Sequence, residues 1–216
     1  MDCRTTLEIV IMNTTSWTCN ENFDKFGFLT VKQICDPDSL YSDVPSERGQ
    51  YNYHSNDPNL FNHQPVESQV EGSTSRYWFP QYRQIHTDIR FKLENILGRK
   101  LYNTYYYDRF YFPGQELVKH TDRDACEISV TVNCSTNLKG KDADWPIWVE
   151  TPAGVAESAV LHPGDGMIYK GCERPHWRDP MPKPKQWFGN TEYYYHQIFF
   201  HYVLADGYRA HCAGDR

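Results

Sequence analysis

The triplet His120-Thr121-Asp122 carries the side chains best suited to metal chemistry. On an extended segment successive side chains alternate between two faces, so His120 and Asp122 project to one side while Thr121 points away. One imidazole and one carboxylate on a shared face supply two adjacent ligands of a facial metal triad. Such triplets are common by chance, so a metal site needs a third ligand from elsewhere in the chain.

His176 is the best candidate for that third ligand. It follows a predicted turn at 163–166 and a predicted strand at 167–169. A histidine one or two strands after the first pair can close a site at the mouth of a β-barrel. Two histidines and one carboxylate leave iron positions open for a bidentate 2-oxo acid and dioxygen.

The elements that must position these residues indicate a mainly β fold with flanking helices. Residues 80–97 are predicted to be a helix, because apolar residues recur at helical spacing after Pro80 and before Gly98. From residue 101 the hydrophobic period changes to two, which predicts a β core over 100–204 within one domain, 1–216. The predicted strands are 105–112, 127–133, 145–150, 159–162, 166–169 and 194–203. Many short strands after one long helix favour a barrel or sandwich.

Residues 41–79 are predicted to form a long loop or lid. Asn, Ser, Pro, Tyr and His dominate this stretch, and it has little periodicity. A variable surface excursion and a substrate-facing lid are equally compatible with this composition. Four other histidines are assigned to the surface or to loops rather than to the metal: His54, His63, His86 and His211.

Composition narrows the class of protein. A length of 216 residues suits one domain. The formal net charge of -6, with no long basic run, disfavours a nucleic-acid partner. No apolar stretch approaches about 20 residues, so no membrane span is expected. Seven cysteines without a CxxC pair indicate reduced thiols and a cytoplasmic location.

Five short pieces of the chain occur in a characteristic order. They are Tyr111-Phe112-Pro113-Gly114-Gln115, His120-Thr121-Asp122, Pro163-Gly164-Asp165, His176, and the predicted last strand from Gln197 to Val203. In order and spacing they resemble the 2-oxoglutarate/Fe(II)-dependent dioxygenases, especially the compact prolyl-hydroxylase-like group. The resemblance covers residues 100–204 and the preceding helix. It implies a double-stranded β-helix, which is a cupin-like jelly roll.

The resemblance also implies a ligand set and co-substrates. His120, Asp122 and His176 would ligate Fe(II), and 2-oxoglutarate and dioxygen would be consumed. A tyrosine before the Pro-Gly turn, here Tyr111, commonly donates a hydrogen bond to the distal carboxylate of 2-oxoglutarate.

The chain departs from the family pattern at the basic residue that would pair with the distal carboxylate of 2-oxoglutarate. A basic residue usually lies on the last strand, but Gln197 stands there in this chain. Alternation along strands nominates Arg109, two residues before Tyr111, or Arg178, two residues after His176. Arg109 is slightly preferred, because it shares a strand with the expected tyrosine and lies farther from the metal.

The implied activity is hydroxylation of a C–H bond. The substrate would be a prolyl or other peptide side chain or a small molecule. Asp122 favours hydroxylation over halogenation, since related halogenases replace this carboxylate with a small residue. One alternative is a catalytically silent jelly-roll binding module, for which the missing cation on the last strand argues. Another is a cupin-like metal isomerase, although such sites generally use more histidines.

Overall fold

The computed structural model describes residues 9–10, 19–40, 43–54, 60–185 and 192–215. Its α-helices are α1 (Cys19–Phe26) and α2 (Arg83–Leu97). In chain order its strands are β1 (Ile9–Val10), β2 (Phe28–Val31), β3 (Gly49–Tyr53), β4 (Phe61–Gln64), β5 (Thr74–Tyr77), β6 (Leu101–Tyr111), β7 (Leu117–His120), β8 (Ile128–Thr136), β9 (Ile147–Glu150), β10 (Ala156–Ala159), β11 (Gly166–Tyr169), β12 (His176–Arg178) and β13 (Tyr195–Leu204).

The strands form two sheets that pack face to face. The larger sheet has the order β1-β2-β11-β8-β13-β6-β5-β3-β4, and the smaller has the order β10-β9-β12-β7. From β6 onward the chain crosses repeatedly between the sheets, so that β6, β8, β11 and β13 lie opposite β7, β9, β10 and β12. This winding is a double-stranded β-helix, and the predicted fold class is confirmed.

Helix α2 covers the outer face of the larger sheet. Its apolar stripe, including Ile89 and Leu93, is buried against residues such as Val130 and Phe200. The first turn of the predicted helix, Pro80–Tyr82, is a 3-10 turn, and Gly98 ends α2 with a left-handed φ of 64°. No helix in the described ranges is both long enough and apolar enough to cross a membrane.

His86 on α2 corrects one prediction. Its side chain is 3% exposed and packs between the helix and the sheet. Its Nε2 donates to the carbonyl of His201, and its ring stacks near Phe200. The assignment of His86 to the surface is therefore wrong, because this imidazole is buried with a backbone acceptor.

The prediction that residues 41–79 form a loop is wrong in part. Strands β3, β4 and β5 lie within this segment and extend the larger sheet beyond β6. β3 pairs in parallel with β5, and the exposed strand β4 forms the edge. The connection 65–73, between β4 and β5, contacts both sheets, through Glu67 with Arg109 on β6 and through Gln69 with His120 on β7. Its Val70 enters the interior cluster beside Tyr107 and Leu117.

A register shift in the smaller sheet sets which side chains face inward. β7 and β12 pair His120 with His176, but then Leu117 with Arg178, so β7 contains an extra residue. A bulge of this kind changes which side chains share a face. Leu117 is therefore buried in the interior, while Val118 is 67% exposed.

Candidate metal centre

His120, Asp122 and His176 converge at one end of the sandwich. His120 is the last residue of β7 and His176 the first residue of β12, and the two pair across the sheet. Their Nε2 atoms each lie 3.5 Å from Asp122 Oδ1, and their ring centroids are 4.4 Å apart. All donor atoms lie within 4.8 Å of one another.

Backbone carbonyls orient both imidazoles. His120 Nδ1 lies 2.7 Å from the carbonyl of Val118, and His176 Nδ1 lies 3.0 Å from the carbonyl of Arg174. A carbonyl only accepts, so each Nδ1 carries the proton and each Nε2 presents its lone pair to the shared centre. This is the tautomer that a metal ligand requires.

Asp122 is fixed by neighbours that are distant in sequence. Its N–H donates to the carbonyl of Gly171 at 2.9 Å, and Ser129 Oγ donates to its Oδ2 at 3.2 Å. Burial opposes ionisation, but the neighbouring His120 and His176 side chains hold the pKa of Asp122 well below its usual range. Oδ1 is therefore left as a charged donor facing the two histidines.

Gly171 is required by close packing. A Cβ at this position would overlap Asp122 Oδ2, the carbonyl of Cys126 and Ser129 Oγ. Only glycine lets this backbone approach the carboxylate so closely.

The donor set fits Fe(II). Two neutral imidazoles and one carboxylate on a single side form the facial arrangement that binds non-haem iron and leaves other positions open. The open side faces a cavity of about 270 Å³. Five aromatic rings line much of it: Tyr77, Tyr105, Tyr107, Tyr169 and Phe199.

The connection 65–73 supplies two polar residues that the sequence did not reveal. Gln69 Nε2 lies 3.4 Å from His120 Nε2, at the mouth of the cavity. Glu67 is 2% exposed, and its Oε2 accepts from the N–H groups of Val70 and Gln69 at 2.6 and 3.0 Å. These bonds form a compact turn beside His120.

Arg109 faces inward as alternation predicts, and it is already paired. Its Nη2 donates to Glu67 Oε1 at 3.0 Å, with both side chains 0% exposed. Its Nη1 lies 3.3 Å from the Tyr111 hydroxyl. The positive charge of Arg109 is therefore balanced by an internal carboxylate.

Arg178 also faces inward, and it retains unused donors. Its Nη1 donates to the carbonyl of Trp145 at 2.7 Å, while its Nε and Nη2 find no hydrogen-bond partner among the described residues. Its guanidinium lies over the rings of Trp145 and Tyr195. No carboxylate is recorded within ion-pair distance of Arg178 in the described part of the chain.

The last strand offers no alternative cation. β13 contains neither lysine nor arginine, and the amide of Gln197 donates to Thr131. His196 faces the other side of the sheet, where its Nε2 lies 2.8 Å from Asp108.

His201 on β13 lines the metal cavity. Its Nδ1 contacts Ser129 Oγ at 2.9 Å, and its Nε2 has no partner in the described part of the chain. Burial lowers the pKa of His201 to about 4, so the ring is neutral near pH 7.

Comparison with known proteins identifies the fold. No protein-family model matches the chain, and no curated protein matches it in sequence. A prolyl-4-hydroxylase from Pseudomonas putida is similar in structure, with a TM-score of 0.54 and 13% identity over 85% of this chain and 96% of that one. An oxidoreductase of the 2OG-Fe(II) oxygenase family from Burkholderia pseudomallei has a TM-score of 0.57 and 9% identity, over 88% and 92%.

A third similar structure is a prolyl hydroxylase from Trichoplax adhaerens, solved with a peptide fragment of the oxygen degradation domain of hypoxia inducible factor. Its TM-score is 0.55 and its identity 11%, over 85% of this chain and 87% of that one. At such identities the likeness concerns the fold. The chain therefore has the double-stranded β-helix fold of the compact prolyl-hydroxylase-like 2-oxoglutarate/Fe(II) oxygenases.

Proposed function

We propose that this protein is a 2-oxoglutarate- and Fe(II)-dependent dioxygenase that hydroxylates a C–H bond. The observation that carries the proposal is the triad itself, in which two Nε2 lone pairs and one carboxylate oxygen face a common point. His120, Asp122 and His176 hold the iron. Iron, 2-oxoglutarate and dioxygen together supply oxidative decarboxylation to succinate and carbon dioxide, with the second oxygen atom entering the substrate.

Arg178 anchors the distal carboxylate of 2-oxoglutarate in this proposal. It lies two residues beyond His176 on β12, an advance of about 6.6 Å along a strand, which is the scale of a five-carbon dicarboxylate held by the metal at one end. A buried guanidinium with two unused donor atoms matches a carboxylate in charge and geometry. Tyr111 adds a neutral donor, as the family resemblance implies.

Arg109 supports the site in a different way. Because Glu67 already balances its charge, Arg109 is the weaker candidate for the carboxylate of 2-oxoglutarate. Its proposed role is to hold the connection 65–73 over the cavity. That connection and the aromatic lining keep water away from the reacting centre.

The proposed substrate is a peptide side chain. A cavity of about 270 Å³ is smaller than the ~300–1,000 Å³ typical of sites that enclose a drug-sized molecule. The similar Trichoplax enzyme was solved with a peptide, which is compatible with this class. The six described cysteines are free, and free thiols are typical of the cytoplasm that we propose as its location.

The test is to incubate the protein with Fe(II), 2-oxoglutarate and pools of peptides or metabolites under air. We expect 2-oxoglutarate-dependent succinate release and a product heavier by one oxygen atom in a peptide pool. Asp122→Ala should release no succinate above background. Succinate formation that is equal in Asp122→Ala and in the unaltered protein would contradict the proposal.

A further inference from the structure

We propose that the cavity contains a second, overlapping set of metal donors, Asp122, Cys126 and His201, which captures a thiophilic divalent ion such as Zn²⁺. The carboxylate oxygen, the thiol sulfur and an imidazole nitrogen lie within 4.8 Å of one another. His120, Asp122 and His176 meet the same distance limit. The second set needs neither 2-oxoglutarate nor catalysis, so it goes beyond the proposed function.

Cys126 is placed for ligation rather than for a disulfide. It ends the 3-10 turn Asp124–Cys126, which follows the HxD triplet directly, and its side chain borders the cavity while only 2% exposed. Its sulfur lies 3.3 Å from the Tyr105 hydroxyl. The thiol is free.

His201 provides the independent observation that a ligand belongs there. Its residue is 2% exposed, and its Nε2 has no hydrogen-bond partner among the described residues. An unsatisfied buried polar atom costs free energy. Ser129 Oγ contacts both His201 Nδ1 and Asp122 Oδ2. The single hydroxyl proton of this serine has two oxygen acceptors, Asp122 Oδ2 and the carbonyl of Cys126. The serine therefore accepts from Nδ1–H of His201, and the lone pair is left on Nε2.

The donor types select the ion. One thiolate, one imidazole and one carboxylate, completed by water, suit tetrahedral Zn²⁺, with Zn–S about 2.3 Å and Zn–N or Zn–O about 2.1 Å. These lengths place ligand atoms about 3.5 Å apart in the bound state. The three donor atoms lie within 4.8 Å of one another before binding. Binding releases the thiol proton to solvent as the metal–sulfur bond forms.

Sharing Asp122 makes the two metals mutually exclusive. A carboxylate drawn toward Cys126 and His201 no longer completes the set with His120 and His176. We therefore expect Zn²⁺ to oppose Fe(II) through Cys126, and not only by replacing iron at the same three ligands.

The test is a titration of the full-length protein with Co²⁺ alone, followed by absorbance. A cobalt–thiolate bond gives an intense near-ultraviolet charge-transfer band, whereas two histidines and a carboxylate do not. We expect the band in the unaltered protein and in His120→Ala, and its loss in Cys126→Ser. Cys172→Ser is the matched control, since that half-buried thiol lies against the carbonyl of Arg123 instead, and it should keep the band.

Competition gives a second readout. The Zn²⁺ concentration that halves Fe(II) binding should rise at least tenfold in Cys126→Ser. Circular dichroism of each variant establishes that it is folded. Absence of the band from the unaltered protein, its persistence in Cys126→Ser, or its loss in Cys172→Ser would overturn the inference. Because this readout needs no turnover, its failure would leave the oxygenase proposal standing.

Discussion

The carboxylate of Glu67 lies 3.0 Å from the guanidinium of Arg109, and both side chains are fully buried between the sheets. A buried pair is strongly destabilised when one partner is removed, because the other charge is left without compensation. This pair also fixes the turn that places Gln69 beside His120. It therefore links the connection 65–73 to the candidate metal site.

Glu67→Gln should lower the free energy of unfolding by about 3–5 kcal/mol, because it leaves Arg109 buried with no balancing charge. Denaturant unfolding measures this change. The matched control is Glu192→Gln, which breaks a surface ion pair with Arg48. The side chain of Glu192 is 63% exposed. That change should cost less than about 1 kcal/mol. Equal effects of the two substitutions would contradict the role given to the buried pair.

Arg178→Gln should weaken 2-oxoglutarate binding by about two to four decades, since losing a buried charged partner costs about 3–5 kcal/mol. Arg178→Lys keeps the charge but loses the planar guanidinium fork. Its affinity for 2-oxoglutarate should therefore lie between that of Arg178→Gln and that of the unaltered protein. Calorimetry on the metal-loaded protein measures both, with metal content checked separately. Less than threefold weakening in Arg178→Gln would remove this anchor model and direct attention to Arg109, Lys183 or Lys185.

Gly171→Ala should reduce metal affinity at least tenfold, because the added Cβ overlaps Asp122 Oδ2 and displaces the carboxylate. Competition with a chelator measures the affinity. Gly207→Ala is the control: its added Cβ meets the Leu204 Cβ at 3.0 Å, away from the metal ligands. Unchanged metal affinity in Gly171→Ala would show that Asp122 is not held as described.

The buried imidazole of His86 should make the protein less stable in mild acid. Burial lowers the pKa of His86 to about 3 in the folded state, whereas the unfolded value is near 6.5. Between pH 6.5 and about pH 3 the imidazole of His86 is protonated in the unfolded chain but not in the folded protein. The free energy of unfolding therefore decreases as the pH is lowered through this range. From pH 7 to pH 5 this histidine should remove about 2 kcal/mol.

Urea unfolding at pH 7 and pH 5 tests the prediction for His86. His86→Gln keeps a donor for the carbonyl of His201 but cannot titrate. Its loss of stability between the two pH values should be smaller by the same amount. An identical pH dependence in both proteins would assign the acid sensitivity to other groups.

Local patterns predicted much of the fold. The helical spacing before Gly98 located α2, and the period of two located β6, β8, β9, β11 and β13 within a few residues. The strand predicted at 159–162 lies instead at Ala156–Ala159. β12 has only three residues, too few for a periodic signal, and the extra residue in β7 breaks its alternation. Strands β3 to β5 carry polar residues on both faces, which concealed them.

Contacts between residues distant in sequence could not be predicted. Glu67 and Arg109 are 42 positions apart, and Ser129 and His201 are 72 apart. Neither pair leaves a local pattern, because the topology alone brings them together. The grouping of His120, Asp122 and His176 could be predicted only because the first two are close in sequence and the order of motifs resembles a family. The bulge in β7, which turns Leu117 inward, also has no sequence signal.

The most direct test of the account is anaerobic titration of 2-oxoglutarate into the protein with Fe(II), followed by the visible charge-transfer band of an iron–2-oxo acid chelate. The unaltered protein should develop the band to saturation at one equivalent. His120→Ala, Asp122→Ala and His176→Ala should each fail to develop it, while circular dichroism shows an unchanged fold, because the ligands lie at the mouth of the sandwich. A band of unaltered intensity and affinity in His176→Ala would contradict the assignment of this triad.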